Sequence, residues 1–419
     1  MKTGQFFTAA LMTLITLAQA QWTTLNFNYT NLTLDDIYAS PSGDTIIAVG
    51  TDLVNNFTGH TLYSYDGGIS WDTTSFNQGY LFKGISFATP GEGVIAALGS
   101  SGCALRTTDG GVTWVWNWCD QTYSGVYDIH FTDRTTGYMA GYGDSQFDDG
   151  TIYKTSDAGQ TWSNITGSLT DMPFEYINIP DQNVMYGGSF LFFHENLYRS
   201  TDGGFTWDSL DVTATGCQDV YFHNPSTGIL LGRDGEVYRT TDSAKTWVSV
   251  GSFPSVPNFS LRSIVFTDSS NGYAVGGTNS QTRFVKTTDG GLSWSLMVDV
   301  MYNVIISKLR AFGPRVYGIG TTGEVVMTQL PGIGWDEHMK ESVQIFPNPF
   351  HAQAQLKIPS SLSIRSFHVY NSLGIKVKIR FQQNEKGLML EKGSLAAGLY
   401  TYKLEFDSQQ VLAGRFVIL

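Results

Sequence analysis

The sequence predicts an all-β protein, and three observations lead to this prediction. Aromatic residues make up 14% of the chain, charged residues only 15%, and there are 46 glycines. Aromatic side chains favour strands, while abundant glycine suits the tight turns that connect short strands. A short motif with Asp, Gly and Trp also recurs at nearly even spacing, which indicates a fold built from repeated units.

The 419 residues carry a formal net charge of −12 at pH 7, and the basic residues form no run. Nucleic acids and anionic membranes are bound through concentrated Lys and Arg, so the composition argues against both as partners. An acidic surplus keeps many secreted proteins soluble and selects no particular ligand.

The first 20 residues have the pattern of a signal peptide. Lys2 supplies a positive charge, an apolar stretch runs from Phe6 to Leu17, and Ala18-Gln19-Ala20 matches a cleavage site. This stretch is too short to span a bilayer comfortably, and no other segment is apolar for long enough. We therefore expect residues 1–20 to be removed, which leaves a secreted chain without a transmembrane segment.

The recurring motif reads Ser/Thr-x-Asp-x-Gly-x-Ser/Thr-Trp and occurs six times. Its fifth copy has Ala244 in place of the glycine, and a seventh copy, which ends at Trp335, has lost the Asp. The tryptophans are about 40 to 48 residues apart, which is the period of a four-stranded propeller blade. The Asp and Trp of the six clear copies are Asp66 and Trp71, Asp109 and Trp114, Asp157 and Trp162, Asp202 and Trp207, Asp242 and Trp247, and Asp289 and Trp294.

Each residue type in the motif suits a turn between two strands. The Asp side chain accepts hydrogen bonds from backbone amides, the Gly adopts a positive φ angle, and the Trp begins the next strand, where it packs between blades. The motif resembles the Asp-box (BNR) repeat of sialidases, sortilin-type receptors and photosystem II assembly-factor-like propellers. That resemblance implies a structural turn at the periphery of each blade rather than a binding site.

Each period also holds enough alternating apolar segments for four strands. The sequence therefore predicts a seven-bladed β-propeller over residues 21–338. The seventh unit lacks a good strand after Trp335, so we expect the N-terminal strand near Trp22 to complete it. Closing the ring in this way removes open sheet edges, which invite aggregation.

Residues 341–419 differ in composition and form a second unit of short alternating strands. Its landmarks are Pro347-Asn348-Pro349, then Gly374 at the end of a Val-Tyr-x-x-x-Gly segment, then Gly398 and Tyr400 in a Leu-x-x-Gly-x-Tyr segment. The unit resembles the type A sorting domain of the type IX secretion system, although it lacks the lysine that ends the usual pattern. The resemblance implies a small immunoglobulin-like β-sandwich. It also implies that the outer-membrane machinery of a Gram-negative bacterium exports the protein to the cell surface or the medium.

Two of the three cysteines flank the second motif symmetrically. Cys103 and Cys119 each lie eight residues from Gly111, and residues placed in this way face one another across a hairpin. The sequence predicts a disulfide between them, with Cys217 left as a free thiol. Three separate buried thiols are the alternative, since a bulge would shift the register.

No constellation of catalytic or cofactor-binding residues is evident in the sequence. The arginine cluster of a sialidase is absent, and the nearest match to its Arg-containing element, Pro314-Arg315-Val316, has the wrong order. Asp144, Asp148 and Asp149 form a weak candidate for a Ca²⁺ site, with an exposed acidic turn as the alternative. The aromatic run at residues 190–194 is either strand core or a docking face.

Two functions remain open at this point. The first is a non-enzymatic surface or secreted module, without cofactors, that binds a protein or a glycan through a loop-lined face. The second is a secreted glycoside hydrolase, which requires two carboxylates about 5 to 10 Å apart in one cleft. Convergence of such carboxylates on the channel would favour the hydrolase, and the candidates are Asp35, Asp128, Glu175 and Asp219.

Overall fold

The computed structural model describes most of the chain after residue 20. The described ranges are 21–25, 32–54, 57–99, 102–120, 125–143, 149–166, 169–189, 196–212, 217–232, 235–252, 260–278, 281–302, 304–329, 344–346, 348, 350–358, 364–371, 376–384, 387–406 and 411–419. Their regular secondary structure consists of strands, which confirms the all-β prediction. Within these ranges, no helix has the length and apolarity that crossing a membrane requires.

Seven four-stranded antiparallel sheets precede residue 330, and we number them in chain order. Their strands are, for sheet 1, β2 (Leu32–Ala39), β3 (Ile46–Asp52), β4 (Thr58–Ser64) and β5 (Asp72–Gln78); for sheet 2, β6 (Leu81–Phe87), β7 (Gly93–Leu98), β8 (Gly102–Thr107) and β9 (Val115–Cys119); for sheet 3, β10 (Gly125–Phe131), β11 (Gly137–Tyr142), β12 (Gly150–Thr155) and β13 (Ser163–Asn164); for sheet 4, β14 (Tyr176–Asn178), β15 (Met185–Ser189), β16 (Asn196–Ser200) and β17 (Asp208–Leu210). Those of the last three are, for sheet 5, β18 (Cys217–Phe222), β19 (Gly228–Gly232), β20 (Glu236–Thr240) and β21 (Val248–Ser252); for sheet 6, β22 (Ser260–Phe266), β23 (Gly272–Gly277), β24 (Thr282–Thr287) and β25 (Ser295–Tyr302); for sheet 7, β26 (Ile306–Phe312), β27 (Arg315–Gly320), β28 (Val325–Gln329) and β1 (Gln21–Leu25).

The seven sheets form a closed ring. The first strand of each sheet, which we call the inner strand, contacts the inner strand of the next, and β26 of sheet 7 contacts β2 of sheet 1. The N-terminal strand β1 completes sheet 7 by pairing with β28 from Gln21 opposite Gln329 to Leu25 opposite Val325. This arrangement is consistent with the seven predicted blades and with closure of the ring by the N-terminal strand.

Each Asp-box forms the same hydrogen-bonded turn between the third and fourth strands of its sheet. In the second box, Asp109 Oδ1 accepts hydrogen bonds from the Thr107 hydroxyl and the Thr113 amide, and Asp109 Oδ2 accepts one from the Thr113 hydroxyl at 2.6 Å. The same three bonds recur in the other five boxes, at Asp66, Asp157, Asp202, Asp242 and Asp289. The turns are therefore built from local contacts, as their composition implies.

The box tryptophans anchor these turns to their sheets. Indole Nε1 donates a hydrogen bond to the carbonyl of the second box glycine in three copies, at Trp71, Trp114 and Trp207. Five of the tryptophans also pack against a phenylalanine that lies on or just before the inner strand of the same sheet, in the pairs Phe87–Trp114, Phe131–Trp162, Phe174–Trp207, Phe222–Trp247 and Phe266–Trp294. Each turn is thus fixed to the apolar core of its own blade.

The second glycine of the box is required by both conformation and space. Gly111 has a φ of +90°, and a Cβ atom built on it would lie 2.3 Å from Cδ1 of Ile47 in the preceding sheet. The fifth box departs from this pattern, because Ser243 and Ala244 adopt the left-handed region with φ angles of 67° and 63°. This conformation costs a non-glycine residue roughly 1–2 kcal/mol.

The C-terminal segment forms two further four-stranded sheets. One has the order β29 (Gln344–Phe346), β30 (Gln353–Lys357), β34 (Gly387–Glu391), β33 (Arg380–Asn384), and the other β32 (Lys376–Val377), β31 (Ile364–Tyr370), β35 (Gly398–Phe406), β36 (Val411–Ile418). Leu356, Leu388, Leu404 and Phe416 belong to one buried apolar cluster to which both sheets contribute. This arrangement is consistent with the predicted sandwich.

We predict that Gly111→Ala destabilises the propeller, because the new methyl group would meet Ile47 and alanine disfavours the φ of Gly111. The free energy of unfolding should fall by about 1–3 kcal/mol. The matched control is Ala244→Gly, which relieves strain at the same place in the fifth box and should leave stability unchanged or higher. Thermal unfolding of the full-length variants measures both effects. A Gly111→Ala protein as stable as the parent would contradict the steric requirement.

Candidate functional site

The two ends of the ring differ in how regular they are. At one end, which we call the box face, seven residues separate the third and fourth strands in each of sheets 1 to 6. The opposite end, the loop face, carries connections that range from two residues between Gln78 and Leu81 to eleven between Asn164 and Tyr176. Because loops vary where function varies, the loop face is the better place to look for a ligand site.

A ring of polar residues lies near the start of the inner strands, which is the end of these strands next to the loop face. Six inner strands carry a β-bulge near their first residues, and the extra residue of a bulge is re-aimed relative to its neighbours. Glu175, just before β14, holds the corresponding place in sheet 4. The seven residues at this position, which we call the mouth ring, are half-buried: Asp35, Lys83, Tyr127, Glu175, Gln218, Arg262 and Ser307.

Contacts between neighbouring blades order part of the mouth ring. Lys83 Nζ donates a hydrogen bond to Asp35 Oδ1 at 2.7 Å and lies 5.9 Å from the centroid of the Tyr127 ring. The Tyr127 ring packs edge-to-face with Tyr142, with centroids 4.7 Å apart. The Glu175 carboxylate accepts a hydrogen bond at 3.0 Å from the hydroxyl of Ser189. These side chains are therefore held in place by contacts within the protein.

Next to the mouth ring, three carboxylates bind backbone amides of neighbouring sheets. Each accepts the amide of the residue that follows it and an amide from the next sheet. The bonds between sheets are from Ile85 to Asp36 at 3.2 Å, from Ile177 to Asp128 at 2.9 Å and from Ile264 to Asp219 at 2.9 Å. Three similar bonds alternate with these around the ring. In each, a backbone amide donates to a side chain of the preceding sheet: Phe131 to Ser86, Phe222 to Asn178 and Leu309 to Ser263.

Arg310 on β26 links three sheets across the channel. Its Nε and Nη2 donate to the two carboxylate oxygens of Asp36 at 2.7 and 3.0 Å, and Nη2 also lies 3.3 Å from Asp128 Oδ1. His130 Nε2 is 3.1 Å from the other oxygen of Asp128. A bidentate guanidinium contact of this kind is both strong and directional, so it braces sheet 7 against sheets 1 and 3.

The electrostatics of these carboxylates follow from burial and from Arg310. Burial opposes the ionisation of Asp36, but Arg310 and Lys308 outweigh it and hold the pKa of Asp36 below its ordinary value. Burial also opposes ionisation of Asp128, where His130 and the two cations lower the pKa. At Asp219 burial prevails over the amide hydrogen bonds and raises the pKa to about 6. Stabilisation by Asp36 and Asp128 is therefore complete above the ordinary carboxyl pKa and is lost as the pH falls through their lowered values.

The four carboxylates considered for a hydrolase all lie on or next to inner strands, and each has a protein partner. Asp35 pairs with Lys83, Glu175 with Ser189, and Asp128 and Asp219 with backbone amides. Arg315 lies on β27, and its Nη1 donates to the carbonyl of Ser42 at the box face. The structure thus brings carboxylates to the channel but engages them in contacts between blades.

The remaining candidates from the sequence have simpler surroundings. Asp144 and Asp148 of the calcium candidate lie outside the described residues, as does the aromatic run at 190–194; Asp149 Oδ1 accepts the Asp171 amide at 3.2 Å. No group of three or more metal-binding side chains is present in the described ranges. Cys103 and Cys119 are joined by a disulfide, and Cys217 is a buried free thiol whose pKa burial raises to about 12.

In the C-terminal segment, the described landmark residues stabilise the sandwich. Asn348 Oδ1 accepts the Val417 amide at 2.8 Å, the Tyr400 hydroxyl donates to the Ala396 carbonyl at 2.8 Å, and Gly398 has a φ of +149°. The other three, Pro347, Pro349 and Gly374, lie outside the described residues.

Sequence reasoning missed the mouth ring as a unit, together with Asp36 and Arg310. In the sequence, the mouth ring corresponds to a polar residue at the same position of each repeat, near the start of the inner strand, as at Asp35, Lys83 and Tyr127. Because the residue type differs in every blade, a search for a repeated motif does not detect this position.

We predict that Arg310→Met lowers the free energy of unfolding by about 3–5 kcal/mol, because Asp36 and Asp128 would stay buried without their shared guanidinium. Arg106→Met is the matched control. Arg106 pairs at 2.7 Å with Glu92, which is 37% exposed, and its Nε donates to the Ala158 carbonyl at 3.0 Å; its removal leaves no fully buried carboxylate unpaired and should cost about 1–2 kcal/mol. Denaturant unfolding followed by tryptophan fluorescence measures both variants. Equal losses would mean that the channel pair contributes no more than a pair whose carboxylate is partly exposed.

Two family models match segments of the chain. Residues 195–312 match the model described as Sortilin, neurotensin receptor 3. Residues 344–418 match that of the secretion system C-terminal sorting domain. No curated protein matches the chain in sequence.

Solved propellers share the fold at low sequence identity. A structure of YCF48 bound to D1 peptide is 19% identical with a TM-score of 0.59, over 74% of this chain and 94% of that one. YCF48 from Cyanidioschyzon merolae is 18% identical with a TM-score of 0.58, over 73% and 98%. A catalytically inactive virginiamycin B lyase from Staphylococcus aureus is 9% identical with a TM-score of 0.56, over 74% and 100%. The chain resembles, in its two parts, an Asp-box β-propeller of the sortilin and YCF48 kind and a type IX secretion sorting domain.

Proposed function

We propose that this protein is an exported binding module whose propeller recognises a protein or glycan through its loop face. The observation that carries the proposal is that carboxylates in the channel are engaged by other groups of the protein. A glycoside hydrolase needs one carboxyl group free to protonate the leaving oxygen and a second to attack or to activate water. Here the oxygens of Asp128 and Asp219 accept backbone amides, and Arg310 binds Asp36 and Asp128.

Two further observations support recognition at the loop face. The connections there are irregular, and the mouth ring gives this face polar side chains whose positions are set by contacts between blades. The YCF48 structure with a bound peptide shows a propeller of similar fold that takes a ligand. The virginiamycin B lyase shows that a similar fold also belongs to an enzyme, so hydrolysis is the alternative to test.

The export part of the proposal rests on the sorting-domain match over residues 344–418. We propose that residues 1–20 direct the chain across the inner membrane. Residues 341–419 are then read by the type IX machinery, which places the protein at the cell surface or in the medium of a Gram-negative bacterium.

The binding and hydrolase functions predict different results with one variant. Asp219→Asn removes the carboxyl group whose raised pKa best suits a general acid. We expect the full-length protein to release no product from a panel of oligosaccharide substrates. Asp219→Asn keeps only one oxygen for the two backbone amides, so thermal unfolding first establishes that the variant is folded; the folded variant should bind those oligosaccharides or peptides unchanged. Product release that a folded Asp219→Asn variant loses would replace the binding function with a hydrolase.

Deleting residues 341–419 should leave the propeller folded but retained in the periplasm, because the ring is complete at Gln329 while the sorting domain is lost. Fractionation of the producing cells, with tryptophan fluorescence of the purified truncated protein as a folding control, tests this. Folded truncated protein on the cell surface would contradict the role given to the C-terminal segment.

A further inference from the structure

The mouth ring is polar in every blade. All seven members carry hydrogen-bonding side chains, and none is aliphatic. Two carboxylates, Asp35 and Glu175, balance two cations, Lys83 and Arg262, so the formal charges of the ring cancel. The boxes repeat one set of residues around the ring, whereas the mouth ring has a different residue type in every blade.

We propose that the mouth ring binds a neutral saccharide, which enters from the loop face. This inference rests on the proposed binding function and narrows its ligand class. A sugar presents many hydroxyl groups, each able to donate and accept, together with an apolar ring face. The mouth ring supplies acceptors at Asp35 and Glu175, donors at Lys83 and Arg262, and one aromatic ring at Tyr127.

The arc from Asp35 to Glu175 supplies the acceptors and the aromatic surface. The Lys83 ammonium lies 5.9 Å from the centroid of the Tyr127 ring, and Tyr142 packs edge-to-face with that ring, so its orientation is fixed. An aromatic ring held in this way offers apolar area at little cost in conformational entropy. Glu175 is oriented by Ser189, which is 1% exposed, so its carboxylate keeps one geometry without a ligand.

Arg262 supplies donors that the described residues do not satisfy. Its Nη2 donates only a long hydrogen bond, 3.4 Å, to the Thr278 carbonyl, and Nη1 has no hydrogen-bond partner within the described ranges. No carboxylate of those ranges lies within 4.0 Å of it. Burial also lowers the pKa of its guanidinium. Nη1 is itself buried, so the unsatisfied donor costs free energy, which a ligand hydroxyl or a bridging water that reaches it would recover.

The charge balance of the ring argues for a neutral ligand. An anionic chain would be attracted by Arg262 but repelled by Asp35 and Glu175. A cationic chain would be attracted by the two carboxylates but repelled by the guanidinium of Arg262. The absence of aliphatic members argues against a site for an apolar peptide side chain, which would have to desolvate these polar groups without replacing their hydrogen bonds.

The test uses the full-length protein on an array of immobilised neutral hexose and N-acetylhexosamine oligomers, together with uronate-containing and sulfated oligomers. The best neutral binder is then titrated in solution at low and high salt. We expect binding to neutral oligomers that changes less than about threefold between 0.1 and 0.5 M NaCl, because screening has little effect on uncharged ligands.

Lys83→Gln and Glu175→Gln should each weaken this binding about tenfold or more. Lys154→Gln is the matched control, because Lys154 lies 5.2 Å from the centroid of Tyr138 in a similar cation–aromatic contact that belongs to the box side of sheet 3. It should leave the affinity unchanged. Thermal unfolding of the three variants shows whether any loss of affinity reflects loss of fold.

Other outcomes would contradict the inference, and each would show which part of it is wrong: the place of the site, the charge of the ligand or its chemical class. Neutral oligomers that bind all three variants equally would place the sugar site elsewhere. Binding confined to acidic oligomers, or lost at high salt, would refute a neutral ligand. No binding to any oligomer refutes a saccharide site, while the proposed binding function survives if the protein binds peptides and Lys83→Gln abolishes that binding.

Discussion

Acceptor side chains on the inner strands join neighbouring sheets, and the rest of the propeller depends on these bonds. Inner strands of adjacent sheets are not paired in a common ladder, so the amides that face the next sheet need other partners. Asp36, Asp128 and Asp219 supply them through carboxylates that also accept their own following amide. A β-bulge directly precedes each of these three aspartates, and each carboxylate reaches an amide of the next sheet.

Closure of the ring uses both ends of the propeller segment. Strand β1 supplies the outer strand of sheet 7, and Arg310 of the same sheet joins Asp36 of sheet 1 through two hydrogen bonds. The first contact involves backbone and the second a buried ion pair, whose net contribution depends on complete hydrogen bonding. Each oxygen of Asp36 accepts a backbone amide in addition to Arg310, so the pair is well satisfied.

The two faces of the ring differ in how strictly their residues repeat. On the box face, the Asp, Gly and Trp of each turn are occupied by contacts within their own blade and with the preceding one. On the loop face, connections of different length surround a ring of side chains that differ from blade to blade. A scaffold of repeated units can thus keep one face constant while the other face differs from blade to blade.

The sequence by itself determined the strand architecture, the boxes and the separate C-terminal domain, because these follow from local patterns. Asp109 bonds residues within four positions of itself, and alternation of apolar residues predicts strands whatever surrounds them. Only the tertiary structure decided that Arg310 meets Asp36, 274 residues away, and that Lys83 meets Asp35 in the neighbouring blade. Such contacts depend on how the bulges aim their side chains and on where the ring closes. No local pattern encodes these features, so the sequence alone indicated carboxylates near the channel but not their partners.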